Sequence, residues 1–114
     1  MVDHDSPVVD VSTTGIPGDG RMRRLVLFRG DALMVALTEL DPGASWLRSS
    51  HPEEEVVYVI QGRLEYEDGR VVTTGMLTVN LAMQDHPGRS AGEGVTVLLE
   101  VYAPPPPTQG DASE

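Results

Sequence analysis

The sequence predicts an all-β domain, because short strand-like runs recur at the spacing expected of a barrel or sandwich. Gly, Asp and Pro separate these runs, and they suit tight β-connections, some of which require positive φ. No stretch shows a sustained helical period, which argues against helices. The predicted strands are 22–28, 33–40, 44–48, 54–61, 63–67, 70–73, 76–80, 85–90 and 96–102.

These strands define one domain over residues 21–103, between two segments of different composition. Residues 1–20 are rich in Asp, Ser, Thr, Gly and Pro, which predicts a flexible N-terminal arm. The proline run that begins at Pro104 cannot continue a sheet, because proline has no N–H to donate. We therefore expect residues 104–114 to form an extended, disordered tail.

Composition excludes several classes of partner and site. The formal net charge of −10 argues against nucleic acid and anionic membranes, because phosphate binding needs a basic field. The absence of cysteine excludes disulfides, thiolate metal sites and cysteine nucleophiles. Neither a secretory signal nor an apolar run of membrane-spanning length is visible. These features predict a soluble cytoplasmic domain.

Several predicted strands are apolar on both faces. In 54–61, one face carries Val56, Tyr58 and Ile60, and the other carries Val57 and Val59. A small barrel buries one face only, so the second face needs a cover. A second sheet, the N-terminal arm or another subunit would each provide it, and a homodimer is the simplest arrangement.

Residues 43–62 carry the candidate chemistry. Ser49, His51 and Glu55 share strand parity, so an extended chain points them to one side. One histidine and one carboxylate make part of a metal site. A second histidine would complete the 2-His-1-carboxylate set that suits Fe, Mn, Ni or Zn. His86 is the candidate, because it follows the predicted strand 76–80 after a short link.

Another interpretation of the same residues stays open. The three glutamates at 53–55 also fit a solvated acidic turn, since charge runs usually face water. His86, which precedes Pro87 and Gly88, also fits an exposed loop.

The spacing of these residues resembles the two motifs of the cupin superfamily. The first motif, G-x5-H-x-H-x3-E-x6-G, is matched by Gly43, by Ser49 in place of the first histidine, and by His51, Glu55 and Gly62. The second motif, G-x5-P-x-G-x2-H-x3-N, is matched by Gly75, Leu81 for Pro, Met83 for Gly, His86, and Ser90 for Asn.

The resemblance implies a double-stranded β-helix, or jelly-roll, barrel with its site at the mouth. It also implies that His51, Glu55 and His86 are ligands of a divalent Zn, Ni, Mn or Fe ion. Ser49 removes one imidazole from the family's set, so water or the Ser49 hydroxyl would occupy that position. We expect the loss of this ligand to weaken metal binding.

Within the superfamily, the chain resembles small single-domain cupins that open unsaturated uronate rings in pectin degradation, and polyketide-cyclase-like cupins. Their last strand carries an inward acidic residue, and Glu100 occupies that position here, with Tyr102 at the same parity. The resemblance implies that Glu100 and Tyr102 move protons. The alternative is a structural ion pair between Glu100 and an arginine such as Arg24 or Arg48.

Trp46, Met34, Met76 and Met83 are candidates for an apolar pocket lining near the barrel mouth, and Ser49 is a further candidate for the substrate pocket. Plain core or interface positions are the more ordinary interpretation of such residues.

Two functions follow as hypotheses. The first is a cupin enzyme for a small molecule, performing isomerisation, ring opening, cyclisation or lyase chemistry by acid–base catalysis with or without a metal. The second is a non-catalytic ligand-binding or sensor cupin. An inward Glu100 that solvent can reach favours the enzyme, whereas a Glu100 neutralised by arginine favours the binder.

Overall fold

The computed structural model describes residues 21–46, 49–50, 53–82, 85–86 and 88–104. These residues form strands and turns and contain no helix. The strands are β1 (Met22–Arg29), β2 (Met34–Leu40), β3 (Ser45–Trp46), β4 (Ser49–Ser50), β5 (Glu54–Gln61), β6 (Arg63–Tyr66), β7 (Val71–Thr73), β8 (Leu77–Asn80), β9 (Asp85–His86), β10 (Arg89–Ala91) and β11 (Thr96–Ala103).

The strands pair antiparallel in three sheets. A five-stranded sheet has the order β1-β2-β11-β5-β8, and a four-stranded sheet has the order β3-β10-β6-β7. The short strands β4 and β9 form a two-stranded sheet. The last long strand, β11, lies at the centre of the larger sheet between β2 and β5, which gives the domain its non-local topology.

The predicted strand 85–90 is two strands with different partners. β9 pairs with β4, whereas β10 pairs with β3 and β6. Pro87 lies between them in the sequence, and a residue without an N–H cannot extend a ladder. The pairing of β9 also reveals β4, which the sequence pattern did not predict.

The hydrophobic core lies between the two larger sheets. β5 shows the alternation that builds it: Val57 and Val59 are completely buried, whereas Tyr58 and Ile60 on the other face are each 38% exposed. This division is the one that strand parity predicts. The core comprises Leu40, Val57, Val59, Leu64, Tyr66, Val72, Ala91 and Leu98.

Gly62 closes the tight connection between β5 and β6. Its φ is +106°, a conformation that side chains with a Cβ rarely adopt. A Cβ at this position would also lie 2.6 Å from the Thr96 hydroxyl and 2.8 Å from the Thr96 Cα. The last glycine of the first motif is therefore required by a close approach of two backbone segments.

The outward face of the five-stranded sheet carries apolar residues on every strand, beside the charged pair Arg23–Glu39 at one end. One cross-strand row follows the register through Leu25, Leu37, Leu99, Tyr58 and Leu77. A second row follows it through Phe28, Val35, Val101, Val56 and Val79. We call these two rows the outer apolar face. It is most exposed at β5 and β8, where Leu77 is 57% and Val79 is 44% exposed.

The N-terminal arm and most of the proline-rich tail lie outside the described residues. Among the residues that the structure does describe, no helix is long and apolar enough to cross a membrane.

Candidate functional site

Glu100 lies at the centre of a group of buried polar side chains inside the domain, and it is fully buried itself. Its Oε1 accepts a hydrogen bond from Arg24 Nη2 at 2.8 Å and another from Thr38 Oγ1 at 2.6 Å. Arg24 Nε in turn donates to Thr38 Oγ1 at 3.1 Å. Three neighbouring strands, β1, β2 and β11, thus meet at one carboxylate oxygen.

The second oxygen of Glu100 faces the opposite sheet. Arg89, from β10, donates from Nη2 to Glu100 Oε2 at 3.2 Å, and the Arg89 side chain is only 14% exposed. One buried carboxylate therefore joins two arginines that come from different sheets. Charge-assisted bonds of this kind hold both side chains in a fixed geometry.

Glu55 extends the group toward β8. It is 5% exposed, and its carboxyl is close enough to that of Glu100 for the charge of one to affect the pKa of the other. Asn80 Nδ2 donates to Glu55 Oε1 at 3.2 Å. Two neighbouring carboxylates repel one another, which favours a proton on one of them. We call Arg24, Thr38, Glu55, Arg89, Glu100 and Tyr102 the inner polar cluster.

The environment separates the pKa values of the two glutamates. Burial, followed by the charge of Glu100, raises the pKa of Glu55 to about 7. Burial acts in the same direction on Glu100, but the charges of Arg89 and Arg24 outweigh it and lower the pKa of Glu100 to about 2. Glu100 is therefore the ionised member of the pair at neutral pH, and Glu55 is the member that takes up a proton as the pH falls through about 7.

Tyr102 completes the cluster beside Arg24. Arg24 Nη2 donates to the Tyr102 hydroxyl at 3.2 Å, and the guanidinium carbon lies 5.8 Å from the ring centroid. Burial and then the charge of Glu100 raise the pKa of Tyr102 well above its ordinary value. The phenol keeps its proton across the physiological range.

The backbone pairs one residue of the first motif with one of the second. Ser49 and His86 are directly opposite each other in the β4–β9 pair. Glu55 at the start of β5 faces Asn80 at the end of β8. His51 lies outside the described residues.

The donor types of this set suit a divalent first-row ion, since two imidazoles and one carboxylate are borderline ligands for Zn, Ni, Mn and Fe. The described side chains contain no group of three histidine, cysteine or acidic residues arranged to hold a metal. Glu55 is the one predicted ligand whose side chain is described, and it faces Glu100. A metal at Glu55 would compete with the proton that this carboxyl takes up.

The predicted pocket residues fall in different places. Met34 is 2% exposed and packs with Ala36 and Tyr102 in a small apolar cluster. Met76 is 51% exposed, so it does not line the interior. Trp46 and Ser49 are described only as backbone positions in β3 and β4, and Met83 lies outside the described residues.

Two findings at this site concern alternatives that the sequence left open. The acidic run 53–55 does not all face water: Glu53 is 5% exposed, because it shares the parity of Glu55, and only Glu54 is exposed. Arg24 does pair with Glu100, which is the structural alternative named above, and Arg89 joins it. The roles of Glu100 and Tyr102 in proton transfer and of His51, Glu55 and His86 as ligands stay predictions.

Sequence reasoning missed Arg89 and Thr38. Both share parity with buried apolar residues on their strands, Ala91 for Arg89 and Leu40 for Thr38, and that alternation was the available signal. Their partner, Glu100, is recognisable only once strands distant in sequence are placed side by side.

Known proteins share this architecture. Residues 10–103 match the model of the ChrR cupin-like domain. KdgF from Halomonas sp. is 21% identical, with a TM-score of 0.70 over 97% of this chain and 94% of that chain. An uncharacterised double-stranded β-helix protein from Klebsiella pneumoniae is 22% identical, with a TM-score of 0.75 over 91% and 89%.

A structure of Rhodobacter sphaeroides SigE in complex with the anti-sigma ChrR is also similar. It is 17% identical, with a TM-score of 0.66, and the match covers 82% of this chain and 50% of that chain. No curated protein matches by sequence. The matched family model spans most of the chain and the fold is the jelly roll of the superfamily, so this protein belongs to the ChrR cupin-like domain family of cupins.

Proposed function

We propose that this chain is a non-catalytic cupin that binds a small molecule, with a divalent metal ion held by His51, Glu55 and His86. The observation that carries the proposal is the double ion pair of Glu100 with Arg24 and Arg89. A carboxylate held ionised by two guanidinium groups exchanges protons poorly near neutral pH.

The state of Tyr102 supports the same proposal. Its pKa is raised by burial and its hydroxyl accepts a hydrogen bond from Arg24, so it stays protonated. The two residues that the family resemblance offers as proton carriers thus each keep one protonation state. A fixed, hydrogen-bonded polar cluster suits recognition, because its donors and acceptors are already in place.

The family neighbours fit a binding or sensing role for this chain. The anti-sigma ChrR, which is similar in fold, is seen in complex with SigE. A bound metal would supply a positive charge for an oxygen-bearing ligand at the barrel mouth.

Metal titration tests this function. Purified protein, stripped with chelator, is titrated with Zn²⁺, Ni²⁺ and Mn²⁺ by calorimetry, alongside the variants His86→Ala and His51→Ala. His4→Ala is the matched control, because His4 lies in the N-terminal segment. We expect binding in the wild type and in the His4 variant, with about a tenfold or greater loss in the other two. If no metal binds the wild type, the metal-holding part of the proposal is wrong.

A second candidate is an acid–base enzyme, and one observation favours it. The pKa of Glu55 is raised to about 7 by burial and by Glu100, and a carboxyl with such a pKa can give or take a proton at neutral pH. In this version Glu55, rather than Glu100, would transfer protons to a cyclic or polyfunctional substrate, as in isomerases, cyclases and lyases.

A turnover assay distinguishes the binding protein from the acid–base enzyme. Unsaturated uronates and cyclisable polyketide-type substrates are incubated with the wild type and with Glu55→Gln, and products are followed by mass spectrometry. Turnover that Glu55→Gln abolishes supports the enzyme. Binding of such compounds without any turnover supports the binding protein.

We also propose that the outer apolar face binds a second copy of the chain. Its most exposed part, at Tyr58, Leu77 and Val79, contains no charged residue. Two copies that each carry a net charge of −10 repel one another, so their contact needs a surface free of charge. A homodimer through this face would cover side chains that are now between 38% and 57% exposed.

A further inference from the structure

Tyr66 carries a buried hydroxyl that the described part of the chain leaves without a hydrogen bond. The residue lies at the end of β6 and is only 5% exposed. Its Oη has no hydrogen-bond partner among the residues that the structure describes. Buried tyrosine hydroxyls usually find a partner, because an unpaired polar group in the interior is costly. The hydroxyl therefore needs an acceptor or donor other than the described side chains.

Tyr66 packs in the hydrophobic core, and two arginines also lie beside it. Arg89 is directly opposite Tyr66 in the β6–β10 pair, so the two side chains stand on the same face within roughly 5 Å at their Cβ atoms. Arg89 reaches from there to Glu100 in the inner polar cluster. On the other side, the guanidinium carbon of Arg70 lies 4.1 Å from the centroid of the Tyr66 ring.

The charged side chains that lie beside Tyr66 are thus guanidinium groups, with Arg70 over the ring and Arg89 opposite it in the register. A phenol O–H and guanidinium N–H groups together suit an acceptor with several lone pairs and a negative charge. A carboxylate has that chemistry, and the planar fork of arginine matches its shape. A neutral apolar ligand would leave the hydroxyl unpaired.

We propose that Tyr66 recognises a carboxylate group of the small molecule that enters the barrel, with its hydroxyl donating to that carboxylate in the positive field of Arg89. This inference rests on the proposed binding function and names the class of ligand. Tyr66 is a specificity residue in this view and takes no part in metal binding.

Calorimetry with simple acids tests it. Acetate, pyruvate and benzoate are titrated into the wild type, Tyr66→Phe and Tyr102→Phe, with the methyl ester of each acid as a neutral comparison. We expect at least one acid to bind the wild type and its ester to bind more weakly. Tyr66→Phe should weaken binding of the acid by about 10- to 100-fold, the loss of one hydrogen bond to a charged group.

Thermal unfolding without ligand provides the second readout. Tyr66→Phe removes a hydroxyl that has no partner, so its Tm should equal or exceed that of the wild type. Tyr102→Phe is the matched control, because its hydroxyl accepts a bond from Arg24 and its removal should lower Tm.

The proposal is overturned if Tyr66→Phe lowers the ligand-free Tm as Tyr102→Phe does, because the hydroxyl would then be satisfied within the protein or by an internal water. Unchanged acid affinity in Tyr66→Phe, or no binding of any acid to the wild type, also overturns it. If metal binding persists in those cases, the proposed metal site is retained. Failure of the carboxylate proposal is therefore distinguishable from failure of the metal site.

Discussion

Arg24 and Glu100 are 76 residues apart in the sequence, yet Arg24 Nη2 lies 2.8 Å from Glu100 Oε1. The arginine belongs to the first strand of the five-stranded sheet and the glutamate to the last strand in the sequence. Glu100 is completely buried, whereas the Arg24 side chain is 32% exposed. The pair therefore connects the interior of the barrel to its surface.

Replacing Glu100 by Gln should strongly destabilise the protein. The change leaves Arg24 and Arg89 without their shared counter-ion, and breaking a buried ion pair costs about 3–5 kcal/mol. Urea unfolding measures the loss. Glu65→Gln is the control, because the Glu65–Arg63 pair is about half exposed and should contribute less than about 1 kcal/mol. Equal losses in the two variants would contradict this account of Glu100.

Thr38→Val should remove two hydrogen bonds from the cluster without changing the shape of the side chain. Thr38 Oγ1 donates to Glu100 and accepts from Arg24. We expect a loss of about 1.5–3 kcal/mol in the free energy of unfolding, because both bonds involve charged groups. Thr74→Val is the comparison, since the exposed Thr74 hydroxyl accepts one backbone bond, from Gly62. A Thr38 variant as stable as the wild type would show that these bonds contribute nothing.

The pH dependence of stability should reveal the raised pKa of Glu55. Between its ordinary value of 4.5 and about 7, the folded state holds a proton that the unfolded state has released. Stability must therefore fall as pH rises through that window, by on the order of 3 kcal/mol, and level off above it. Unfolding in urea with EDTA, at several pH values, measures the slope.

Glu55→Gln cannot titrate and should lose that slope. Glu100 acts in the opposite direction at lower pH, because the charges of its arginines, against burial, lower its pKa to about 2. Its contribution is present above pH 4.5 and is lost as pH falls toward 2. A wild-type profile with no fall between pH 4.5 and 7 would contradict the assignment of the proton to Glu55.

Val79→Glu should prevent the proposed homodimer. Val79 lies in the outer apolar face at β8 and is 44% exposed, and a charge there would have to be buried on association. Val71→Glu is the matched control, because Val71 is also 44% exposed but lies on the other sheet. Light scattering at micromolar concentration should give a dimer for the wild type and the control, and a monomer for Val79→Glu. A monomeric wild type would contradict the proposed homodimer.

The local pattern of the sequence predicted much of the fold and the inward direction of the candidate residues. Alternation placed Val57 and Val59 in the core and Tyr58 and Ile60 outside, because strand side chains alternate at a period of two. The same parity turned Glu100 and Tyr102 inward, where the structure has them. The local pattern was wrong at 85–90, which it predicted as one strand. That segment forms two short strands that pair with different partners.

What the sequence by itself determined was most of the strands, the turns between them and the cupin superfamily. Only the tertiary structure decided that Glu100 is neutralised by Arg24 and Arg89, that the pKa of Glu55 is raised, and that the Tyr66 hydroxyl has no partner among the described residues. Those states depend on distance and burial. Coulomb energies change steeply with both, and strand register brings together residues that no local pattern relates. The spacing of the motifs predicted where a site lies, and the packing around Glu100 decided the charges within it.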